Sequence, residues 1–535
     1  MSGTRPFTHS GLLLGVGLAL GGCYLSHAGY LEPDAEGRPD GADDAGAGGD
    51  AEADSLGDGG LDDGSGADGA GAAETDDAVD TDDAGPPPTC ATIPDALVVP
   101  DDLATIQAAI DTASDGRVVC VEPGLYHERL DFLGKRIRVV GVAGPEATIL
   151  EPDEEGSAVS FVGGEAAETV FEGFTVRGGV AVDDVSTPVS ETEGGGILVR
   201  DSSPTLRDLI VTGNRAEEHG GGLNLSDSAA TLVHVQVLGN EAGGNGGGLA
   251  IRRGAPTLTD VRLAGNRAGY TGGGIEVLDA TTLTLTHVQL VGNEGSYEAG
   301  ALYSNRSVCR LANVLVAGNR AGNAGGGLTF TGAPAFLDHV RIVGNVGGEA
   351  GITLVNDADG SRLTNVVIAG NRAGRGAGGL WVSASEVSLE NVTIVGNVNE
   401  GDPGGGIGVD ALGFLTMTNV VMAGNRGVGG RAICSASPRD PAISYSAFWN
   451  HGTWPFEGLD NPIGVDGNFT ADPLFIDSSA EDPADWDLHL APESPLLHTG
   501  NPARTDADGS QSSIGAYGGP AGDAWDLEGD GVPDE

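Results

Sequence analysis

Few residues in this 535-residue chain combine a reactive type with a suggestive spacing. Tyr303 and Trp381 offer aromatic faces of the kind on which sugar rings stack. Arg252 and Glu276 offer a base and an acid near one of them, which makes the four candidates for glycan contact. Asp526, Glu528, Asp530 and Asp534 alternate as the acids of a Ca²⁺ loop do, so Ca²⁺ is the one cofactor to weigh. Asp506-Ala507-Asp508-Gly509 is a shorter version of the same pattern. For both segments a solvated acidic stretch is the competing expectation. Cys23, Cys90 and Cys120 are candidates for covalent chemistry, taken up below with the elements that carry them.

Charge narrows the partners. There are 78 acidic and 26 basic residues, a formal net charge of −52. No basic face is available to displace the counterions of a nucleic acid, and a surface of anionic lipid is repelled on the same ground. Aromatics are only 5% against 39% hydrophobic residues overall. A core built of small aliphatic side chains follows.

The N-terminus reads as targeting rather than fold. Arg5 precedes an apolar run from Gly11 to Leu20, too short to span a bilayer. Leu20-Gly21-Gly22-Cys23 then resembles a bacterial lipobox, in which the cysteine becomes the lipidated N-terminus. Residues 1–23 are therefore expected to be a lipoprotein signal peptide. Residues 24–89 are expected to be a disordered Asp/Ala/Gly linker, too poor in large side chains to order itself. By coil statistics its reach is on the order of 40 Å.

Internal periodicity dominates the remainder. Gly-Asn recurs with its asparagine at Asn214, Asn240, Asn266, Asn293, Asn319, Asn345, Asn371, Asn397 and Asn425, at spacings of 26, 26, 27, 26, 26, 26, 26 and 28. Each unit contains a Gly-rich entry, then short stretches apolar at alternate positions, such as Ile275-Glu276-Val277 and Val261-Arg262-Leu263. Alternation at period two is the strand signal. Three short strands in about 26 residues match one coil of a parallel β-helix, whose coils stack at about 4.8 Å. A β-propeller blade needs roughly 40 residues. The expected fold is all-β: a right-handed parallel β-helix solenoid with three strands per coil, over residues 117–450.

Six residues before each of these asparagines stand Asp208, His234, Asp260, His287, Asn313, His339, Asn365, Asn391 and Asn419. All are types that tolerate a left-handed backbone, so a sharp bend is expected there in every coil. The three histidines are read as turn residues rather than metal ligands. The residue after Gly-Asn alternates as Arg215, Glu241, Arg267 and Glu294 before the pattern loosens, which would place opposite charges side by side on adjacent coils.

A solenoid exposes strand edges and needs caps. Residues 90–116 are expected to hold a short helix, N-capped by Asp102, whose Leu103, Ile106 and Ile110 face the first coil. Cys90 and Cys120 flank it and are candidates for a clamping disulfide. Cys309 and Cys434 lie on the order of 20 Å apart at the strand spacing and are read as buried free thiols. Residues 451–520 are expected to close the far end, and 521–535 to form an acidic tail.

Thr105-Ile106-Gln107-Ala108-Ala109-Ile110 followed by Glu122-Pro123-Gly124-Leu125-Tyr126 resembles the opening of the pectate-lyase-like superfamily of right-handed β-helices. The Gly-Gly-Gly-Ile/Leu and Gly-Asn repeats are similar to those of polymorphic outer-membrane proteins. Phe448-Trp449-Asn450, Asp472-Pro473-Leu474-Phe475 and Ile514-Gly515-Ala516-Tyr517-Gly518 resemble the closing segments of bacterial surface β-helix proteins. The resemblance spans roughly residues 95–520 and implies the fold and an exported location. Superfamily enzymes work in a groove beside the first strand of each coil. The outward positions there are Asn224, Ala250, Glu276, Tyr303, Thr329, Thr353, Trp381 and Gly408, without the acid cluster of a lyase.

The expectation is an exported, surface-anchored module without catalytic activity, an outer-membrane or cell-surface lipoprotein or otherwise secreted. It would be monomeric and would touch a membrane only through its lipid. It would present a rigid face, with Tyr303 and Trp381 about 14 Å apart, to a polysaccharide or another cell surface. The alternative is a polysaccharide lyase or hydrolase with a divergent site.

Overall fold

A computed structural model describes residues 89–527 and 529, apart from 183–191, 350, 402, 428 and 429. The signal peptide, Cys23, nearly all of the expected linker, and Glu528, Asp530 and Asp534 lie outside the described residues.

The chain winds as a right-handed parallel β-helix. One sheet stacks thirteen first strands, from Leu130–Asp131 to Phe456–Glu457. Register is continuous along it: Asn224 pairs with Ala250, Ala250 with Glu276, Glu276 with Tyr303, and so on through Thr329, Thr353 and Trp381 to Gly408. The second and third strands expected in each coil are two halves of one bent strand, such as Thr205–Thr212 or Thr257–Ala264. The third sheet consists of two-residue strands, nearly all directly after Gly-Asn, such as Arg215–Ala216. Inward side chains, Val261, Leu263, Ile275 and Val277 among them, are buried in one continuous core.

Two asparagine-rich files hold the coils in step. At the nine bend positions φ lies between 51° and 57°, so the left-handed turn recurs in every coil. There His234 bridges Asp208 and Asp260 at 3.2 and 3.3 Å, and His287 stands 3.2 Å from Asp260. In the second file, the backbone N–H and Nδ2 of Asn240 both donate to Oδ1 of Asn266, at 2.9 and 3.0 Å, while Nδ2 also donates to the Val211 carbonyl at 2.9 Å. The pattern repeats coil after coil to Asn425. Each of these asparagines is buried, so each satisfies polar groups that water cannot reach. The charge alternation after Gly-Asn appears as Arg267–Glu294 at 2.8 Å. A second file, Asp227–Arg253 and Asp279–Arg306, lies at the turn that follows the first strand.

The N-terminal cap is the helix α1 (Ile106–Thr112). Its N-cap is Thr105, whose Oγ1 accepts from the Ala108 N–H at 3.1 Å. Asp102, the expected cap, accepts instead from the Val98 N–H in the turn before. The Glu128 carboxylate takes the Ile106 and Gln107 N–H groups, both at 2.8 Å. Cys90 and Cys120 are joined in a disulfide. Cys309 is a free, buried thiol whose pKa burial pushes up to about 12. Cys434 is not the free thiol expected: it is disulfide-bonded. Its distance from Cys309 excluded only that one partner.

The C-terminal stretch does not simply close the far end. It runs back along the side of the solenoid. Asn501 lies at Asn419, Ala516 and Gly518 at Asn365, Ala521 at His339, and Asp526 at His287. The outward positions of the bent strands explain the route. They form two files: one passes from Gln236, Arg262 and Gln289 to Leu315, Arg341, Val367, Thr393 and Val421, and the other, Leu238, Ala264, Val291, Ala317, Val343, Ala369, Val395 and Ala423, is apolar throughout. Leu488, Ala516 and Trp525 are buried against that apolar file, with Phe475, Trp486 and Tyr517 partly buried beside them. The expected acidic tail therefore carries a buried tryptophan, Trp525, between Asp523 and Asp526.

Two outcomes follow. Asn319→Ala leaves the backbone N–H of Asn293 and one of its two Nδ2 hydrogens without an acceptor, at ~1–3 kcal/mol for each buried group. The urea midpoint falls, and hydrogen exchange accelerates first in the coils beside Asn319. A chain ended at Thr470 uncovers the Val343–Ala423 file, binds a dye specific for apolar surface, and sediments as a larger species.

Candidate functional site

The outward side of the first-strand sheet is where the candidates gather, and it is covered. The Gly-rich run before each first strand folds down onto that side. A Cβ on Gly246 would lie 2.9 Å from that of Ala250; in the strand next to Trp381, one on Gly408 would lie 2.5 Å from the indole, which leans over that position. Side chains in the run would hold the loop off, and their absence lets it close. Trp381 is consequently only 3% exposed, packed with Val355 and Ala377. The open stacking platform expected of Trp381 does not exist, and Tyr303 is half-buried.

Beneath this cover lies a polar cluster on neighbouring coils. Glu276 is buried; its Oε1 accepts from Thr271 Oγ1 at 3.4 Å, and Thr271 Oγ1 lies 3.1 Å from Asn245 Oδ1. The Asn245 N–H donates to His219 Nδ1 at 3.4 Å. Arg252 and Arg200 lie 3.9 and 3.5 Å from the Glu193 carboxylate, and Thr192 donates to Glu218 at 3.0 Å. Oε2 of Glu276, Nε of Arg252 and Nδ2 of Asn224 make no hydrogen bond within the protein. Burial pushes the Glu276 carboxyl up to about 7, against the pull of Arg252. Burial also pushes His219 down to about 4, with help from Arg252. Tyr303 is raised by burial and by Glu298 and Glu276. Three coils on, Glu349 is likewise buried and pushed up to about 7, and it accepts from Thr353 at 3.0 Å.

Chemically this is an acid held near neutrality beside a guanidinium, the pairing general acid–base catalysis uses. Glu276 itself lies beneath the glycine loops at 1% exposure, whereas Arg252 and Glu193 beside it are partly exposed. Glu193, Glu218 and His219 bring ligand atoms within 4.8 Å of one another, but the two arginines against Glu193 oppose a cation there. Of the Ca²⁺ candidates, Asp526, Asp506 and Asp508 lie among the described residues. Asp526 lies 3.7 Å from His287 and accepts from the Gly529 N–H. Asp506 is held by the Ser513 and Gly519 N–H groups, and Asp508 by Ser510.

Sequence reasoning missed an exposed pair. Tyr270 and Tyr297 stand at the tips of successive Gly-rich loops, with ring centroids 4.9 Å apart and planes 3° from parallel. They are 42% and 40% exposed. The Tyr297 N–H donates to the Tyr270 carbonyl at 2.8 Å, which sets the rings in register. The signal was available: the two are 27 residues apart, as are Asn266 and Asn293 of the same coils.

No family model and no curated protein matches this chain. Among solved structures, pectate lyase Pel9A is 13% identical, over 77% of this chain and 90% of that one, with a TM-score of 0.32. The catalytic domain of a GH87 alpha-1,3-glucanase is 12% identical over 67% of each chain, with a TM-score of 0.30. The A-module of a mannuronan C-5 epimerase of Azotobacter vinelandii is 16% identical, over 69% and 94%, with a TM-score of 0.27. Likeness at this level carries no chemistry to the present chain. The class rests on the strand register described above: a right-handed parallel β-helix.

The buried acids generate a pH dependence. Glu276 and Glu349 bind their protons more tightly folded, at about 7, than at the ordinary 4.5. Their stabilising contribution is complete below 4.5 and is lost as pH rises towards 7. His219 acts oppositely, losing its contribution as pH falls from 6.5 towards 4. Glu276→Gln removes one acid from this balance. Urea titrations at pH 4.5 and 7.5 should show it gaining on the parent protein by on the order of 2 kcal/mol across that interval.

Proposed function

We propose that this chain is an exported, surface-anchored β-helix module without catalytic activity, which holds a rigid lateral face against glycans of a polysaccharide or another cell surface. The observation that carries the reading is the exposed, parallel pair Tyr270–Tyr297. In a chain with 5% aromatics, two rings stacked in the open at the same loop position form a platform fitted to the apolar faces of sugars. A solenoid held by buried asparagine ladders keeps that platform fixed, so little ordering entropy is lost on contact. The lipobox-like Cys23 would supply the anchor in the processed chain, where its thioether excludes any disulfide, with lipid the only membrane contact and a single chain as the working unit. The negative charge suits a protein that stays clear of anionic surfaces.

A second reading, a polysaccharide lyase or hydrolase, draws on one observation: Glu193 and Glu276 converge on Arg252, and Glu276 titrates near neutrality. It requires the glycine loops to lift from the face.

Binding and turnover separate the two. Pull-down on insoluble and soluble polysaccharides should show binding that falls at least tenfold in Tyr270→Ala/Tyr297→Ala, with the melting temperature unchanged. Release of reducing ends or unsaturated products by the parent protein, abolished in Glu276→Gln, would replace the first reading with the second. Loss of surface attachment in Cys23→Ala tests the anchor.

A further inference from the structure

A second ligand-sized feature lies near the far end of the solenoid, away from the tyrosine pair. It is a cleft of about 430 Å³ between the last coils and the returning C-terminal stretch. Val395, Val398 and Ala423 form its apolar floor, and Trp449 and Leu474 stand at its walls. Trp449 ends the strand Ala447–Trp449 and pairs in register with Ala423, so its ring takes the outward position next after Ala423 in the file that the C-terminal stretch otherwise covers. The cover reaches Phe475 and stops short of Trp449, which stays 38% exposed.

The rim is polar and mixed in charge: Arg426, Asn450 and Asp472 line it. Each is placed by backbone structure. Arg426 bridges to Val398 of the previous coil, Asn450 adopts φ 52°, and Asp472 Oδ1 accepts from the Leu474 N–H at 3.1 Å. The chain has five tryptophans. Trp381, Trp486 and Trp525 pack against the solenoid, whereas Trp449 and the neighbouring Trp454 are exposed. Leaving an indole open costs solvation that packing would recover, and here it stands over a concave floor edged by donors and acceptors. Such a mixture suits a small, largely apolar-faced ligand with many hydroxyls.

The geometry points to this cleft as a subsite for a neutral sugar ring, with Trp449 as its stacking wall and Arg426, Asn450 and Asp472 bonding its hydroxyls. This assignment rests on the reading of the chain as a glycan-holding module. One arginine beside one aspartate leaves no net charge at the rim to select a uronate.

The test uses the full chain and measures tryptophan fluorescence against tetrasaccharides of β-1,4-linked glucose, xylose, mannose and galacturonate. The expected result is saturable binding of a neutral tetrasaccharide. It should weaken at least tenfold in Trp449→Ala and in Arg426→Ala, as read by calorimetry. Arg426→Ala removes an exposed side chain and keeps the test valid should Trp449→Ala fold poorly. If the Trp449 and Arg426 variants bind like the parent while the tyrosine variant loses binding, the cleft is not a subsite and the glycan reading stands. If the parent binds only galacturonate, the assigned ligand class is wrong. If the parent binds no tetrasaccharide and no polymer, both the subsite and the reading beneath it fall.

Discussion

Every coil of this protein must pass the chain to the next at one strand spacing, with no polar group stranded on the way. The asparagine after each Gly-Asn glycine meets that requirement. Its side-chain carbonyl takes two donors from the preceding coil's asparagine, and its amide returns one donor to a backbone carbonyl. A buried turn would otherwise leave several N–H groups unpaired, at a cost no aliphatic stack of this width could offset. The inward files, the bend files and the first-strand face inherit their register from this ladder.

The same constraint accounts for where function can reside. A solenoid in register repeats one position every coil, so a substitution at one loop position writes a line of side chains along the rod. Tyr270 and Tyr297 become a stacked pair only because their loops are neighbours. Glu276, Tyr303 and Arg252 become a cluster for the same reason. What separates the two sets is cover. The glycine loops close over the strand face and leave the acids buried, while the tyrosines ride on the tips of those loops in the open. The face that resemblance to β-helix enzymes suggests as a groove is here an interior.

The C-terminal stretch extends this logic to a second face. One outward file on the bent strands is apolar from Leu238 to Ala423, and the returning chain covers it from Ala317 onward. Its contacts fall on the bend file: Asn419, Asn365, His339 and His287 each meet a different part of it. A file needed for the turn in each coil thereby also serves as the docking rail. Where the cover stops, Trp449 remains at the edge of a cleft.

The winding of the chain was legible in the residues alone. The Gly-Asn spacing, the left-handed residue types at the bend and the alternating aliphatics are local signals, repeated until no other fold accommodates them, and φ at all nine bends agrees. The pairing of Cys90 with Cys120 was also within reach, since both flank one short helix. Burial of Trp381 and Glu276 was not. Alternation shows which way a side chain points, but whether a loop lies over it depends on how closely a Gly-rich run approaches a neighbouring coil. The path of the C-terminal stretch, and with it the cleft at Trp449, was likewise decided in three dimensions. Its apolar residues meet partners far earlier in the chain, Trp486 at Gly396 and Trp525 at His339, distances across which no period in the sequence carries information.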